Sequence, residues 1–481
     1  MKKAFFIFLF AMVFHVLTWE AEMGLNMALF AWLMTAAVGW WKRDLWERQE
    51  VRWVLGAWCY AGLMVVIHHS TLSMVVYWLL ALVSVGYMQP ERVRFWVFGG
   101  VESVVGLATG WLSGIRHLTK NSGEFSNRRR VWGTVLLWVV PLLVAIPFYL
   151  LYSEANIHLS TLNARFERWW AEWVDFDVNI ARFIVFLLCW VLVLAFLATR
   201  KGITALHHWA AGWSFRLLRE RSQDLLGIKG GSLRQEYRVA LATFWTLNLL
   251  LGGINILDIM YVWLGSSPLG ASELSQYVHE GTWLLFFSIL LAMLVVLYFF
   301  RGNLNFHPHR KRLVQVAYVW LAQNAFLALS VGMRNGRYIQ HYDLAHGRVV
   351  VLFFLLLVLF GLYTMYRKVR KPGTLFYWVQ TNGVAVLVAL LLAASVNWDA
   401  LITRYNLRSP QPDTYYLTDI LTNNLTPLIQ HVMFSPAPVI SVEELQSKIA
   451  QVENAAQYND WRSWNLSEYR QLRYIQQLTQ Q

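Results

Sequence analysis

The sequence predicts an all-α integral membrane protein, and three observations carry that expectation. Of 481 residues, 57% are hydrophobic and only 14% are charged, whereas soluble domains carry about 25% charged residues. The apolar residues also fall in uncharged blocks, such as Gly281 to Phe300, Val349 to Tyr366 and Thr374 to Val396. Each is long enough to cross a hydrocarbon core, which takes roughly 17–25 residues of helix. Finally, 26 Trp and 21 Tyr suit the aromatic belts that anchor helices at the headgroups.

The elements follow in order. Residues 4–19, preceded by Lys2 and Lys3, have the apolar body of a signal peptide behind its basic start. They lack a small-x-small cleavage site, so they are read as a retained first helix. Apolar runs then predict spans at 23–41, 53–68, 71–88, 131–152, 182–199, 239–264, 281–300, 313–333, 349–366 and 374–396. The stretch 95–117 is weaker, because it contains Glu102 among several glycines and serines.

Charge settles that stretch. Basic residues concentrate in cytoplasmic loops because they resist translocation. With the N-terminus inside, the basic loops 41–52, 90–94, 199–208, 301–312 and 367–373 all fall inside if 95–117 only dips into the cytoplasmic face. The expectation is about 11 transmembrane helices, N-terminus in and C-terminus out. The net charge of +13 is then a membrane signature, and no nucleic-acid partner is expected.

The domain reading is N-terminal transmembrane helices at 1–90, an interfacial or re-entrant segment at 91–130, a main bundle at 131–396 and a helical outer tail at 397–481. Amphipathic surface helices are expected at 153–179 and 200–238. In the tail, Ser441 followed by Glu444 reads as a capping box, and a second helix is expected near Ser463. Cys59 and Cys189 lie in apolar runs, so no disulfide framework is expected.

The chemistry-bearing residues are few. "YVHEGTW" places His279 and Glu280 at the lip of an apolar run. A zinc-protease reading fails, since Trp283 stands where the second histidine is needed. The pair either caps a helix start or faces a polar cavity. The stretch 330–348, on the outer face with 334–348 taken as a loop, offers Arg334, Asn335, Tyr338, His341 and Tyr342. At four-residue spacing Arg334, Tyr338 and Tyr342 would share a helix face, suited to a carboxylate, phosphate or sugar, or simply forming an aromatic belt. Asp399 and Arg404 follow the last span, as a staple or a headgroup site.

Within the spans, ionisable groups are costly and usually functional. Asp258 is therefore the candidate proton or cation site, while Gln323 and Asn324 are read as interhelical hydrogen-bonding groups. Arg301 is expected beside a helix C-terminus. His68 and His69 have no ligand partners at metal spacing. No Walker loop, dinucleotide fingerprint or nucleophile elbow is present, so no cofactor and no metal are expected.

Three strings in order, at 277–306, 320–349 and 396–407, carry a His-Glu-Gly, an Arg-Gly-x-Leu-Asn, an Arg-Asn-x-x-Tyr-Ile and an Asn-Trp-Asp motif. Together they resemble a family of bacterial polytopic inner-membrane proteins of unknown function, over roughly residues 235–430. The resemblance implies a multi-pass protein of a bacterial inner membrane and no particular chemistry. Three function classes fit the sequence. The first is binding or transport of a polar solute or lipid headgroup at the outer face. The second is a membrane enzyme acting on a lipid-linked substrate, and the third an envelope sensor or assembly subunit. The expected partners are the lipid bilayer, anionic lipid or a polar solute.

Overall fold

The computed structural model describes residues 2–89, 93, 95–103, 180–197, 217, 233–264, 271–457 and 459–479, with backbone only at 2–4, 180, 181, 184, 271–284, 478 and 479. Among the described residues all regular structure is helical, with no strand. Five helices are long and apolar enough to cross a membrane: Gln49–His68, Leu233–Trp263, Arg310–Tyr342, His346–Arg370 and Leu375–Ala394. Shorter apolar helices accompany them.

The chain divides into two compact units. In the first, α1 (Lys2–Thr18) lies against the helix Ile180–Leu197, α6 in chain order. His15 meets Phe186 edge-on at 5.7 Å, Thr18 Oγ1 lies 3.6 Å from Cys189 Sγ, and the Arg182 guanidinium sits 5.8 Å from the Trp19 ring. The expected span at 131–152 and surface helix at 153–179 lie outside the described residues, as does most of 200–238.

The second unit holds α2 (Leu25–Trp41), α3 (Arg43–Trp46), α4 (Gln49–His68) and α5 (Thr71–Tyr87). It continues with α7 (Leu233–Asp258), α8 (Ala271–Phe299), α9 (Arg310–Tyr342), α10 (His346–Arg370) and α11 (Leu375–Ala394). The tail adds α12 (Trp398–Asn406), α13 (Leu425–Phe434), α14 (Val442–Gln457) and α15 (Leu466–Thr479). Its helices show why they fold here: α5 opens on a capping box in which Ser70 and Ser73 exchange hydrogen bonds, and α10 ends on Arg367, Lys368 and Arg370, which suit a helix C-terminus.

Alternating helices sort the connections of this unit to two ends. At one end the basic loops meet. Arg48 Nη1 donates to the Gln89 carbonyl at 3.2 Å, Lys368 Nζ to the Phe300 carbonyl at 2.9 Å, and Arg310 to the Val369 carbonyl. At the other end the tail closes over the helix ends. Asn423 Nδ2 donates to the carbonyls of His68 and His69 at 3.0 and 3.2 Å, and Asn397 Nδ2 donates to the Asn423 carbonyl at 3.0 Å. A core of Leu344, Ile402, Leu417, Leu428 and Ile440 joins the tail to the α9–α10 turn.

Residues 95–103 fold back along α5. Gly86 faces Gly99 so closely that a Cβ on Gly86 would overlap the Gly99 backbone, and Ser103 Oγ donates to the Leu82 carbonyl. Beyond residue 103 the stretch lies outside the described residues.

The helices run longer than their apolar runs, which corrects two expected loops. α8 begins at Ala271, so His279 and Glu280 lie inside a helix and do not cap its start. α9 continues through Tyr342, leaving a connection of only Asp343 to Ala345 where 334–348 was expected as loop. The backbone hydrogen bonds of a helix do not stop where the side chains become polar. In the tail, the Ser441–Glu444 capping box forms as expected, with Glu444 N–H reaching Ser441 Oγ at 3.2 Å. The last helix instead takes Asn465 as its cap, its Oδ1 accepting from Glu468 N–H at 2.8 Å.

Candidate functional site

The described polar groups converge between α7 and α9. On α7 the buried stripe is Ala240, Phe244, Asn248, Leu251, Asn255 and Asp258, at the three- and four-residue spacing of one helix face. Leu249, Leu250, Ile256 and Leu257 occupy the exposed face. Asn248 Nδ2 donates to the Val316 carbonyl at 3.1 Å, and Asn255 Nδ2 to the Gln323 carbonyl at 3.3 Å. Both contacts span 68 positions; a constant offset means that α7 and α9 run parallel.

At the far end of this seam Arg334 Nη2 donates to Asp258 Oδ1. Both side chains are almost fully buried, 10% and 6% exposed. The guanidinium reaches back along α9, as expected where Cβ atoms tilt towards the helix N-terminus. Beyond Asp258 the chain passes into a π-helical turn, Ile259–Trp263. Trp263 Nε1 donates to Ser330 Oγ at 3.0 Å, and its ring stacks on Phe326 at 5.6 Å. π-Turns of this kind are frequent at functional sites.

The structure thus pairs two residues that the sequence assigned to different places, Asp258 in a span and Arg334 in an outer cluster. Arg334 shares no open face with Tyr338 and Tyr342, because it is turned inward. Those two rings pack on each other at 4.8 Å, and it is Arg348 whose guanidinium covers Tyr338, at 4.4 Å. Asn335 Nδ2 donates to the Arg348 carbonyl at 3.2 Å. Gln323 meets α7 through its backbone carbonyl, and Asn324 Nδ2 bonds its own helix at the Trp320 carbonyl, 2.7 Å away. Between α7 and α9 the interhelical amides are Asn248 and Asn255, which stood in "TLNLLLGGIN" as a visible seven-residue repeat. The side chains of His279 and Glu280 lie outside the described residues.

Asp399 belongs to the tail end. Its Oδ1 lies 3.0 Å from His346 Nε2, while Oδ2 accepts from Thr422 N–H at 3.0 Å and Asn423 N–H at 2.9 Å. Burial pushes the carboxyl up, but the bonds from His346, Asn423 and Thr422 outweigh it and hold Asp399 below its ordinary value. His346 Nδ1 in turn lies 3.0 Å from Tyr416 Oη, which also accepts the His346 backbone N–H at 3.1 Å. Asn406 clamps the adjoining turn, exchanging bonds of 2.8 and 2.9 Å with Leu344 N–H and carbonyl. Arg404 is exposed and makes no ion pair among the described residues.

At the basic end, Arg301 lies over the Tyr298 ring at 4.1 Å. Arg301 follows the C-terminus of α8 at Phe299 as expected, and Lys368 is the cation buried on the Phe300 carbonyl that Asn305 Nδ2 also holds at 2.9 Å. No group of three or more His, Cys, Asp or Glu suited to a metal occurs among the described residues.

Apolar helices packed through buried amides and one ion pair define a polytopic α-helical membrane protein. The chain belongs to the family described as Domain of unknown function (DUF4153), whose pattern matches residues 5–431. No curated protein and no solved structure matches it.

Proposed function

We propose that the protein binds or carries a polar solute across a bacterial inner membrane, with the Asp258–Arg334 pair as its ionisable element. The observation that carries this is the pair itself: a carboxylate and a guanidinium buried between two parallel apolar helices. An ion pair in such a place is expensive to assemble and rarely adds net stability over apolar packing, which argues for a working role. The proposed topology has eleven spans with the N-terminus and basic loops inside and the tail outside; the gathering of Arg48, Arg310 and Lys368 at one end of the second unit supports it. Alkaline phosphatase fused in the 118–128 region would be inactive under this topology and active if 95–117 spans.

The transport reading is tested in liposomes. Purified protein is exposed to panels of sugars, amino acids and phosphate esters while an internal dye reports pH. Solute-dependent proton movement in the native protein, lost in Asp258→Asn, is expected. Movement that survives in the double variant Asp258→Asn/Arg334→Gln would sink the pair as the ionisable element, and its absence with every solute would sink the transport reading.

A second reading, an enzyme at the outer face, rests on the Asp399–His346–Tyr416 chain of hydrogen bonds, since a half-exposed imidazole held by a carboxylate is the form a general base takes. Its acid–base group would be His346. Loss of a lipid-linked hydrolytic activity in His346→Gln, with unchanged expression, is its test.

A further inference from the structure

The α7–α9 seam contains a row of oxygens that no described group satisfies. Asn248 Oδ1, Asn255 Oδ1, Gln323 Oε1 and Asp258 Oδ2 are all buried, and none has a hydrogen-bond partner among the described residues. The amide orientations are dictated by their neighbours. Each asparagine Nδ2 already donates to a backbone carbonyl, of Phe244 and Val316 for Asn248 and of Gln323 for Asn255. Turning either of them over would set two oxygens face to face. The asparagine oxygens and Asp258 Oδ2 are therefore fixed acceptors, with Gln323 Nε2 a donor beside them, and the complement of the oxygens must be a donor or a positive charge.

We infer that this seam holds a file of water molecules leading to Asp258, and that the file delivers a proton to that carboxylate. The inference deepens the transport reading and rests on it for its purpose, though not for its chemistry. Spacing decides between water and a single metal ion. Asn248 and Asn255 are seven residues apart, about 10.5 Å along a helix that rises 1.5 Å per residue, whereas the oxygens around one hard cation lie within about 2.6 Å of it. One ion cannot serve the row, but successive waters can, each donating to the two or more polar atoms that a buried water requires. Charge agrees. Asp258 is already neutralised by Arg334, the charged group the described residues bring to it, so a second fixed cation beside the guanidinium would be repelled. Just beyond Asp258, Tyr261 is 45% exposed, and Trp263 turns its indole N–H to Ser330 Oγ on α9.

The step balances simply. A proton passed along the waters adds to the Asp258 carboxylate to give the neutral acid. The Arg334 guanidinium keeps its charge because it does not deprotonate in proteins, and the ion pair loosens. Release of the proton restores the pair.

Gly252 supplies the probe. A Cβ there would lie 3.7 Å from Gln323 Nε2, in ordinary contact, so Gly252→Cys brings a thiol to the seam beside a flexible side chain. In a background where Cys59 and Cys189 are serine, the probe is a small, membrane-impermeant methanethiosulfonate, which reacts with the thiolate and so needs water. Gly252→Cys is expected to react roughly tenfold or more faster than Leu250→Cys on the lipid-facing side. Equal rates would mean a dry seam and overturn the inference. Asn255→Cys, in the same background, gives a second reading should one variant fold poorly.

Replacing choline by sodium at constant ionic strength is expected to leave the Gly252→Cys rate unchanged. Protection by sodium would overturn the water assignment in favour of a cation. A dry seam in a protein that still moves solute defeats this inference alone, and a wet seam without flux defeats the transport reading alone.

Discussion

Arg334 and Asp258, 76 positions apart, form a buried ion pair that joins the ends of two parallel helices. Removing one partner leaves the other charge buried in an apolar seam, which costs about 3–5 kcal/mol. The two single variants should not be equivalent. In Arg334→Gln the orphaned carboxylate can take up a proton, whereas in Asp258→Asn the orphaned guanidinium cannot give one up. Asp258→Asn is expected to lower the thermal stability of the detergent-solubilised protein more than Arg334→Gln. The double variant should recover much of the loss. Equal losses in all three, read by fluorescence-detected size exclusion after heating, would contradict the pairing.

The tail end is expected to be acid-sensitive through Asp399. Its folded carboxyl sits below its ordinary value, because the bonds from His346, Asn423 and Thr422 exceed the cost of burial. A depressed acid stabilises the fold above its unfolded value, and the contribution disappears as pH falls through the folded value. Tail docking should therefore weaken from about pH 4 downward, seen as faster proteolysis at 408–424. Asp399→Asn should remove that acid dependence and itself cost about 1–3 kcal/mol at neutral pH, since it loses the charge that faces His346 and the two N–H groups. An unchanged acid profile in Asp399→Asn would show that another group controls the docking.

The basic end offers a test of shared hydrogen bonding. Lys368 Nζ and Asn305 Nδ2 both donate to the Phe300 carbonyl, each at 2.9 Å. Lys368→Met keeps the side-chain volume and leaves that carbonyl with its asparagine, and Asn305→Ala leaves it with its lysine. Only the double variant strands it. The two losses should be non-additive by about 0.5–3 kcal/mol in a double-mutant cycle. Additive losses would mean that the two donors act independently.

How much of this was legible depends on the range of each interaction. The membrane class, the apolar cores of the helices and the Ser441–Glu444 cap are local patterns, and the sequence displays them directly. Asp258 stood out because a carboxylate within an apolar run is anomalous on its own. Its partner did not, since Arg334 follows the point where the run turns polar and was assigned to a loop. The same boundary error moved Glu280 off the interior of α8: apolar composition ends with the hydrocarbon, while helical hydrogen bonding continues past it. His346, Tyr416 and Asn423 were missed for a different reason. Their roles arise from contacts 44 to 355 positions away, and nothing local to them records those partners.

The docking of the tail on the start of α2 turns on the absence of one side chain. Leu25 N–H donates to the Trp464 carbonyl and Asn26 N–H to that of Arg462, both at 2.9 Å, so Gly24 lies directly beneath the backbone of Ser463. A Cβ on Gly24 would overlap the Ser463 carbonyl and stand 2.8 Å from the Trp464 oxygen. Backbone cannot swing aside as a flexible side chain would. Gly24→Ala should push residues 460–465 away, break both bonds and cost about 1–3 kcal/mol, the usual range for overpacking a fitted contact. Faster protease cleavage between α14 and α15 is the expected readout. Gly56→Ala is the matched control, because nothing lies within 4 Å of its added Cβ. In mid-helix it should be neutral or stabilising by about 0.5–1 kcal/mol. If the two substitutions behaved alike, the tail would not be seated on α2 in the membrane-embedded protein.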